Sequence, residues 1–313
     1  MPFNAKSGKF SANINTVTMG TGDKAVKIGG ENVLPFFTFD APVENAPKVG
    51  IEITDFGLEN EPDCVKKYYE GCETVVDMAK KAASMEGVDF LCFRMEGGDP
   101  NGANKSTEEL ISTLKEVAAA VDIPLVVAGC KHVEKDAELL SKAAEAVDGK
   151  NAVILAAKEE NYKTIGAAAG LAYKQIVGGE SAVDINLAKQ LNVLMTQLGV
   201  DPKSIVMNVG SAAAGYGFEY VVSTMQRVKA AALGQNDNTL QMPIITPVAS
   251  EVWGVKEAVA SEADMPEWGD AEKRGVDMEI ETAAAVLAAG SNAVILKHPT
   301  AIATISKMIK ELM

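Results

Sequence analysis

Eight short apolar runs recur along this chain, and nearly every one is followed by a long helical pattern. They are Pro47–Thr54, Val88–Met95, Pro124–Cys130, Asn151–Ala156, Lys174–Gly178, Ser204–Val209, Met242–Val248 and Asn292–Lys297. Segments such as Leu125–Ala128 and Ala152–Ala156 are apolar throughout, whereas each helical segment carries a single apolar stripe. A parallel sheet buried on both faces and ringed by helices has this signature. Right-handed crossovers then permit either a closed barrel or an open doubly wound sheet. Eight units favour closure into an α/β fold of the TIM (β/α)8 barrel type, where functional groups sit on the loops leaving the strands' C-terminal ends.

Helix boundaries are marked by local chemistry. Ser106-Thr107-Glu108-Glu109 offers a capping box ahead of Leu110, Leu114, Val117 and Val121. Val133–Val147 and Asp184–Leu198 each carry one apolar face, and the second stops at Gly199. Pro299 suits the first turn of the last helix. After the seventh strand, Glu251–Ala260 reads as a helix, Ser261–Asp270 as a polar loop and Lys273–Ala289 as a second helix. Upstream of the first strand, Ile14–Met19 and Ala25–Ile28 alternate around Gly20-Thr21-Gly22-Asp23, which predicts a β-hairpin capping the barrel bottom. The expected organisation is an N-terminal hairpin extension over residues 1–46 and a barrel over residues 47–313.

The chain has 313 residues, enough for one barrel with an appendage, and a formal net charge of −14. That balance argues against a nucleic-acid or anionic-membrane partner. No basic-then-apolar leader and no apolar stretch long enough to span a bilayer occurs, so a cytoplasmic protein is expected. Cys64, Cys72, Cys92 and Cys130 match no zinc or iron–sulfur spacing and read as small buried hydrophobes.

The strand ends supply the candidate site. After strand two stands Glu96-Gly97-Gly98-Asp99-Pro100-Asn101-Gly102-Ala103-Asn104, where glycines allow close approach and carboxylates and amides give directional hydrogen bonds. A structural turn would use the same residues. The loop after strand six, Gly210-Ser211-Ala212-Ala213-Ala214-Gly215-Tyr216-Gly217, is small and nearly uncharged, suited to a broad planar ligand, to a partner backbone or to a simple turn. Asn161, Asp184 and Asn186 stand near helix starts, where a plain capping role competes with a binding one. His132 and His298 lie at strand ends without a paired carboxylate. Lys297 leaves a Schiff-base aldolase open. No Gly-x-Ser-x-Gly elbow, no His-Glu-x-x-His and no phosphate cradle after the last two strands occurs. The inventory reads as a binding surface rather than a reaction centre.

The same residues resemble a known family, the small (delta-like) subunit of the corrinoid iron–sulfur protein of the reductive acetyl-CoA pathway. The likeness is carried by Gly29-Gly30 with Leu34-Pro35-Phe36, by Glu96–Asn104, Pro124–Leu140, Glu160–Lys163 and Asp184–Leu194, by Gly215-Tyr216-Gly217 with Glu219-Tyr220, and by Pro266–Arg274, in the same order over nearly the whole chain. The resemblance implies a TIM barrel paired with a large iron–sulfur subunit, and a cobalamin-type corrinoid shared between the two. It also implies transient encounters with a methyltetrahydrofolate methyltransferase, from which a methyl group is taken, and with acetyl-CoA synthase, to which it is passed. The iron–sulfur cluster is expected in the partner alone, and no independent activity or catalytic residue is expected in this chain. The candidate cofactor-binding residues are Glu96, Gly97, Asp99, Asn101, Asn104, Cys130, Asn161, Asp184, Asn186, Gly215, Tyr216 and Gly217. Some members begin the strand-six loop with Asp-Pro, where this chain has Asn208-Val209, so contacts in 208–214 would differ. No Asp-x-His-x-x-Gly motif offers a lower cobalt ligand. The alternative reading is a pterin-dependent corrinoid methyltransferase of the TIM-barrel type, using Asp99, Asp184, Asn186 and Asn208.

Overall fold

Eight parallel strands close on one another: β3 (Lys48–Thr54), β4 (Phe90–Arg94), β5 (Leu125–Ala128), β6 (Val153–Ala157), β7 (Ile176–Glu180), β8 (Ile205–Asn208), β9 (Ile245–Pro247) and β10 (Ala293–Leu296). Two shorter strands, β1 (Val17–Met19) and β2 (Val26–Ile28), precede them and pair antiparallel. This is a computed structural model. It describes residue 8 and residues 10–313; residues 1–7 and 9, at the start of the expected N-terminal extension, lie outside the described residues. The ladder runs β8-β7-β6-β5-β4-β3-β10-β9, and a parallel bridge between Met207 and Ile244 joins its two ends. The Met207 amide donates to the Pro243 carbonyl at 2.9 Å across that seam. The architecture is an eight-stranded α/β barrel ringed by helices.

The apolar core has two layers, as expected of a sheet buried on both faces. Phe90, Cys92, Val126, Val153, Ile176, Val206 and Ile295 cluster inside the barrel, while Ile51, Leu91, Val127, Ile154, Val177 and Val294 pack outward against the helices. Gly50 is required by this packing, because a Cβ there would stand 2.1 Å from Cε2 of the buried Phe90 ring. Val17, Met19 and Ile28 join the interior cluster from below. The hairpin is tied to segments that precede barrel strands: the Gly20 amide donates to the Asn151 carbonyl at 2.9 Å, and Asn15 to Gln241 at 2.6 Å.

Most helices begin at a side-chain cap, which fixes where each strand-to-helix loop ends. Ser106 accepts from the Glu109 amide at 3.2 Å, and Asp184 accepts from the amides of Asn186 and Leu187. The helix Ile185–Leu198 stops at Gly199, whose φ of 108° places it in the left-handed region. Two expectations need correction. The fifth barrel strand lies two residues later than Lys174–Gly178, because Gly178 and Gly179 belong inside it: Cβ atoms there would stand 2.5 Å from Leu155 and 3.0 Å from Met195. The expected helix Glu251–Ala260 is two short helices, Ala249–Val252 and Lys256–Val259, interrupted at Trp253-Gly254-Val255. Among the described residues, no helix is long and apolar enough to cross a membrane.

Candidate functional site

The C-terminal ends of the barrel strands open into a cleft with two lobes that share Arg94, Gly129 and Lys131 as a common wall. The larger lobe encloses about 710 Å³ and lies among the ends of β3, β4, β5 and β10 and the segment after β9. The smaller encloses about 240 Å³ and lies over β6, β7 and β8. Small residues floor much of both: Gly129, Ala249, Ser250 and Gly254 in one, and Ala156, Ala182, Gly210 and Ser211 in the other. Volumes of this order suit a drug- to cofactor-sized ligand.

Each cation lining the cleft meets a carboxylate. Arg94 donates through Nε and Nη2 to Glu52 Oε2 at 2.9 and 2.8 Å. Burial works against the Glu52 charge, but Arg94 and Lys297 outweigh it and hold the carboxyl below its usual range. Lys297 Nζ donates to both oxygens of Glu61 at 2.9 and 2.7 Å. Burial opposes its charge as well, yet Glu61 and Glu52 raise its pKa, so it is an ammonium. Lys131 pairs with Glu251 at 2.9 Å, and Lys158 with Glu180 at 3.3 Å. A charge-paired floor of this kind offers no free cation for a phosphate and no free amine for a Schiff base.

The candidates divide by where their side chains go. Glu96, Asp99 and Cys130 line the larger lobe. Cys130 Sγ donates to Asp136 Oδ1 at 3.2 Å, and burial pushes its thiol up to about 12, so it stands there as a neutral thiol. Asp99 is folded onto its own loop, accepting from the Asn101 amide at 2.9 Å. Gly97 is buried beneath, its amide donating to Asp55 Oδ1 at 2.8 Å, and Lys105 clamps the same carboxylate at 2.8 Å. Asn101 and Asn104 are exposed on the outer part of that loop. Asn161 is a buried clip: its Oδ1 accepts from the Lys158 amide at 2.7 Å, and its Nδ2 donates to the Val133 carbonyl at 3.0 Å. Asp184 caps a helix and Asn186 is exposed in its first turn. Gly215 and Gly217 hold left-handed conformations at φ 91° and 72°, and the exposed Tyr216 hydroxyl between them donates to Glu257. The loop after β8 is thereby tied to the segment after β9.

The residues that shape the cleft floor most were not singled out by sequence. Glu52 is buried within the strand Lys48–Thr54, flanked by Ile51 and Ile53, and Arg94 ends the next one, two rungs along the same ladder. A charge inside an apolar run is the signal that points to them, since an unpaired charge there would be very costly. Glu180 was hidden by the register of β7. Ala182 and Val183, which line the smaller lobe, hold φ of 43° and 59°, unfavourable for a β-branched residue. The Val183 amide donates to the Val209 carbonyl at 2.8 Å and fixes that turn.

Both histidines are helix caps. His132 Nδ1 accepts from the Lys135 amide at 3.4 Å, and His298 Nδ1 from the Thr300 amide at 3.2 Å. His298 is buried against Tyr68 and Trp253, and burial lowers its pKa. Beside it Glu279, fully buried, accepts from the amides of Lys297 and His298 at 2.6 and 3.0 Å, and burial raises its carboxyl to about 7.

Residues 16–303 match the family model described as CO dehydrogenase/acetyl-CoA synthase delta subunit. The chain is 32% identical over 300 residues to acetyl-CoA decarbonylase/synthase complex subunit delta 1 of Methanosarcina thermophila, covering 94% of this chain and 67% of that protein. It is 31% identical to the delta subunit of Archaeoglobus fulgidus, over 94% of this chain and 65% of that one. With the delta subunit of Methanothermobacter thermautotrophicus the identity is 30%, over 96% and 76%. Among solved structures, dihydropteroate synthases from Vibrio fischeri and Xanthomonas albilineans superpose with TM-scores of 0.56 and 0.55 at 11% and 14% identity, covering 94% and 95% of this chain and 97% and 98% of theirs. That likeness is one of fold.

Proposed function

Because the chain belongs to the CO dehydrogenase/acetyl-CoA synthase delta-subunit family, we propose that it is the corrinoid-sheltering small subunit of a methyl carrier, paired with a large iron–sulfur subunit. The observation that carries this reading is the donor set of the barrel mouth. It combines small residues, hydrogen-bonding groups and paired cations, and the Cys130 thiol on its wall, beside Asp136, is held neutral. A corrinoid is a broad ring rimmed with amide arms, and that donor set fits it: carboxylates and carbonyls accept from amide N–H groups, while backbone N–H groups donate to amide oxygens. When bound, the corrinoid would supply the cobalt that carries a methyl group from methyltetrahydrofolate, through a methyltransferase, to acetyl-CoA synthase.

The chain's own residues position and shield. Glu96, Asp99 and Cys130 stand on the wall of the larger lobe, and Gly129 and Gly210 let backbone approach the ligand. Exposed Val183 and Tyr216 on strand-end loops, with Tyr220 and Val259 on the helices Phe218–Lys229 and Lys256–Val259 that follow β8 and β9, form an apolar rim on which a second protein would close. The remaining candidates from Asn101 to Gly217 belong in this proposal to loop shape rather than to direct contact, with Asn161 and Asp184 already committed to backbone groups.

The pterin-dependent alternative is supported less well by these positions. Asn208 lines the smaller lobe and Asp99 the larger, while Asp184 and Asn186 are committed to or exposed at a helix start. Co-expression with the proposed large iron–sulfur subunit, followed by absorption spectroscopy, tests the main reading. A corrinoid spectrum in the co-purified pair is expected. A colourless chain that ignores both corrinoid and partner would overturn it, and methyl transfer from methyltetrahydrofolate to free cobalamin by the isolated chain would favour the alternative.

A further inference from the structure

The cleft sorts its charges unevenly. Its cations, Arg94, Lys131, Lys158 and Lys297, are each matched by a carboxylate: Glu52, Glu251, Glu180 and Glu61. Of the remaining acids on the larger lobe, Asp63 pairs with Lys66 at 3.1 Å and Glu272 with Lys67 at 2.7 Å. Glu96 and Asp99 are left. Among the described residues neither has a cation within ion-pair distance, and both lie on the loop after β4. The loop is held from beneath, because Asp55 takes the Gly97 amide and the Lys105 ammonium. The lobe therefore presents two surplus negative charges at a fixed place.

We propose that Glu96 and Asp99 select the amidation state of the corrinoid, accepting N–H groups from amide arms and repelling arms that end in carboxylate. The inference rests on the corrinoid reading above and goes beyond it to ligand specificity. An amide arm brings two donors to a carboxylate acceptor, whereas a carboxylate arm brings only acceptors and a like charge. Among the described residues every cation lining the cleft already has a carboxylate partner, so an incoming carboxylate arm must compete with Glu52, Glu61, Glu180 or Glu251 for it, whereas an amide arm need not. Discrimination of this kind is a difference of affinities built on a repulsive element as well as an attractive one.

The test compares cobinamide, whose arms end in amides, with cobyrinic acid, whose arms end in carboxylates. Each is titrated into the full chain, co-purified with its iron–sulfur partner and stripped of corrinoid, with dissociation constants read by absorbance. Cobinamide is expected to bind more tightly by about tenfold or more, the order of one partly exposed like-charge contact. The Glu96→Gln, Asp99→Asn double variant should shrink that preference several-fold by improving cobyrinic acid binding. Tighter binding of a ligand is not produced by a damaged fold, and unchanged thermal unfolding of the variant is checked alongside. Equal binding of the two corrinoids by the native protein, or a preference that survives the double variant, overturns the assignment while leaving the corrinoid reading intact. Binding of neither corrinoid overturns both.

Discussion

Glu279 shows what a single buried group does beneath this cleft. Its two oxygens take the backbone amides of Lys297 and His298, so it sets the end of β10 without touching the cleft. Burial raises its pKa from 4.5 to about 7, which means that the folded state binds its proton more tightly than the unfolded chain does. The stability tied to that proton is present in full below pH 4.5 and is lost as pH rises to about 7, a change of about 3 kcal/mol for a shift of this size. Difference infrared spectroscopy should find a carboxyl titrating near pH 7 that vanishes in Glu279→Gln; titration in the ordinary carboxylate range would contradict the burial effect. Lys297 makes the opposite point, as a strand-end lysine that sequence leaves open as a Schiff-base nucleophile. Clamped between Glu61 oxygens at 2.9 and 2.7 Å, it is held protonated. Borohydride treatment in the presence of a small aldehyde or ketone should therefore leave Lys297 unmodified by mass spectrometry, and a reduced adduct at that residue would revive the aldolase reading.

At the scale of elements, the barrel strands were legible because a strand buried on both faces must be apolar nearly throughout. Their ends were less so. Gly178-Gly179 reads as a stop from propensity alone, but in β7 the missing side chains make room for Leu155 and Met195 from neighbouring elements. That two-residue error concealed Glu180, which pairs with Lys158 and stands opposite Asn208 on β8. The break at Gly254 divides what reads as one helix, and the interruption turns Trp253 toward His298, their rings 6.0 Å apart. Gly50 on β3 gives the same lesson a measurable form. Gly50→Ala would force its methyl into the Phe90 ring and should cost about 1–3 kcal/mol as an overpacked core. Denaturant unfolding should show a lower midpoint at an unchanged slope, and a variant as stable as the native chain would mean that the interior near Phe90 is looser than its packing.

Across the whole molecule, the N-terminal segment is held to the barrel by a charge buried far from the mouth. Lys229 Nζ donates to Glu31 at 2.6 Å and to Asn292 at 2.9 Å, and Asn292 Nδ2 donates to the same Glu31 oxygen at 2.8 Å. Burial alone would raise the Glu31 pKa, but Lys229 outweighs it and lowers it below 4.5. Its contribution to stability is therefore present above pH 4.5 and is lost as pH falls through the lower folded value. Lys229→Ala strands a buried carboxylate and should cost about 3–5 kcal/mol by denaturant unfolding at neutral pH, with a weaker acid dependence below pH 4.5; a loss near zero would show that the network does not hold the segment in place. Three residues this far apart in the chain carry no mutual signal in sequence, and neither do Glu52 with Arg94 or Lys297 with Glu61. Periodicity and propensity are local, so the amino-acid order by itself determined the eight βα units, their helix caps and the collection of glycines, amides and acids on the strand-end loops. Ion pairing depends on which strand ends become neighbours around a closed ring. Only the tertiary structure decided that every cation of the mouth is matched by a carboxylate, that Asn161 and Asp184 are committed to backbone groups, and that Glu96 and Asp99 keep a surplus charge facing the cleft.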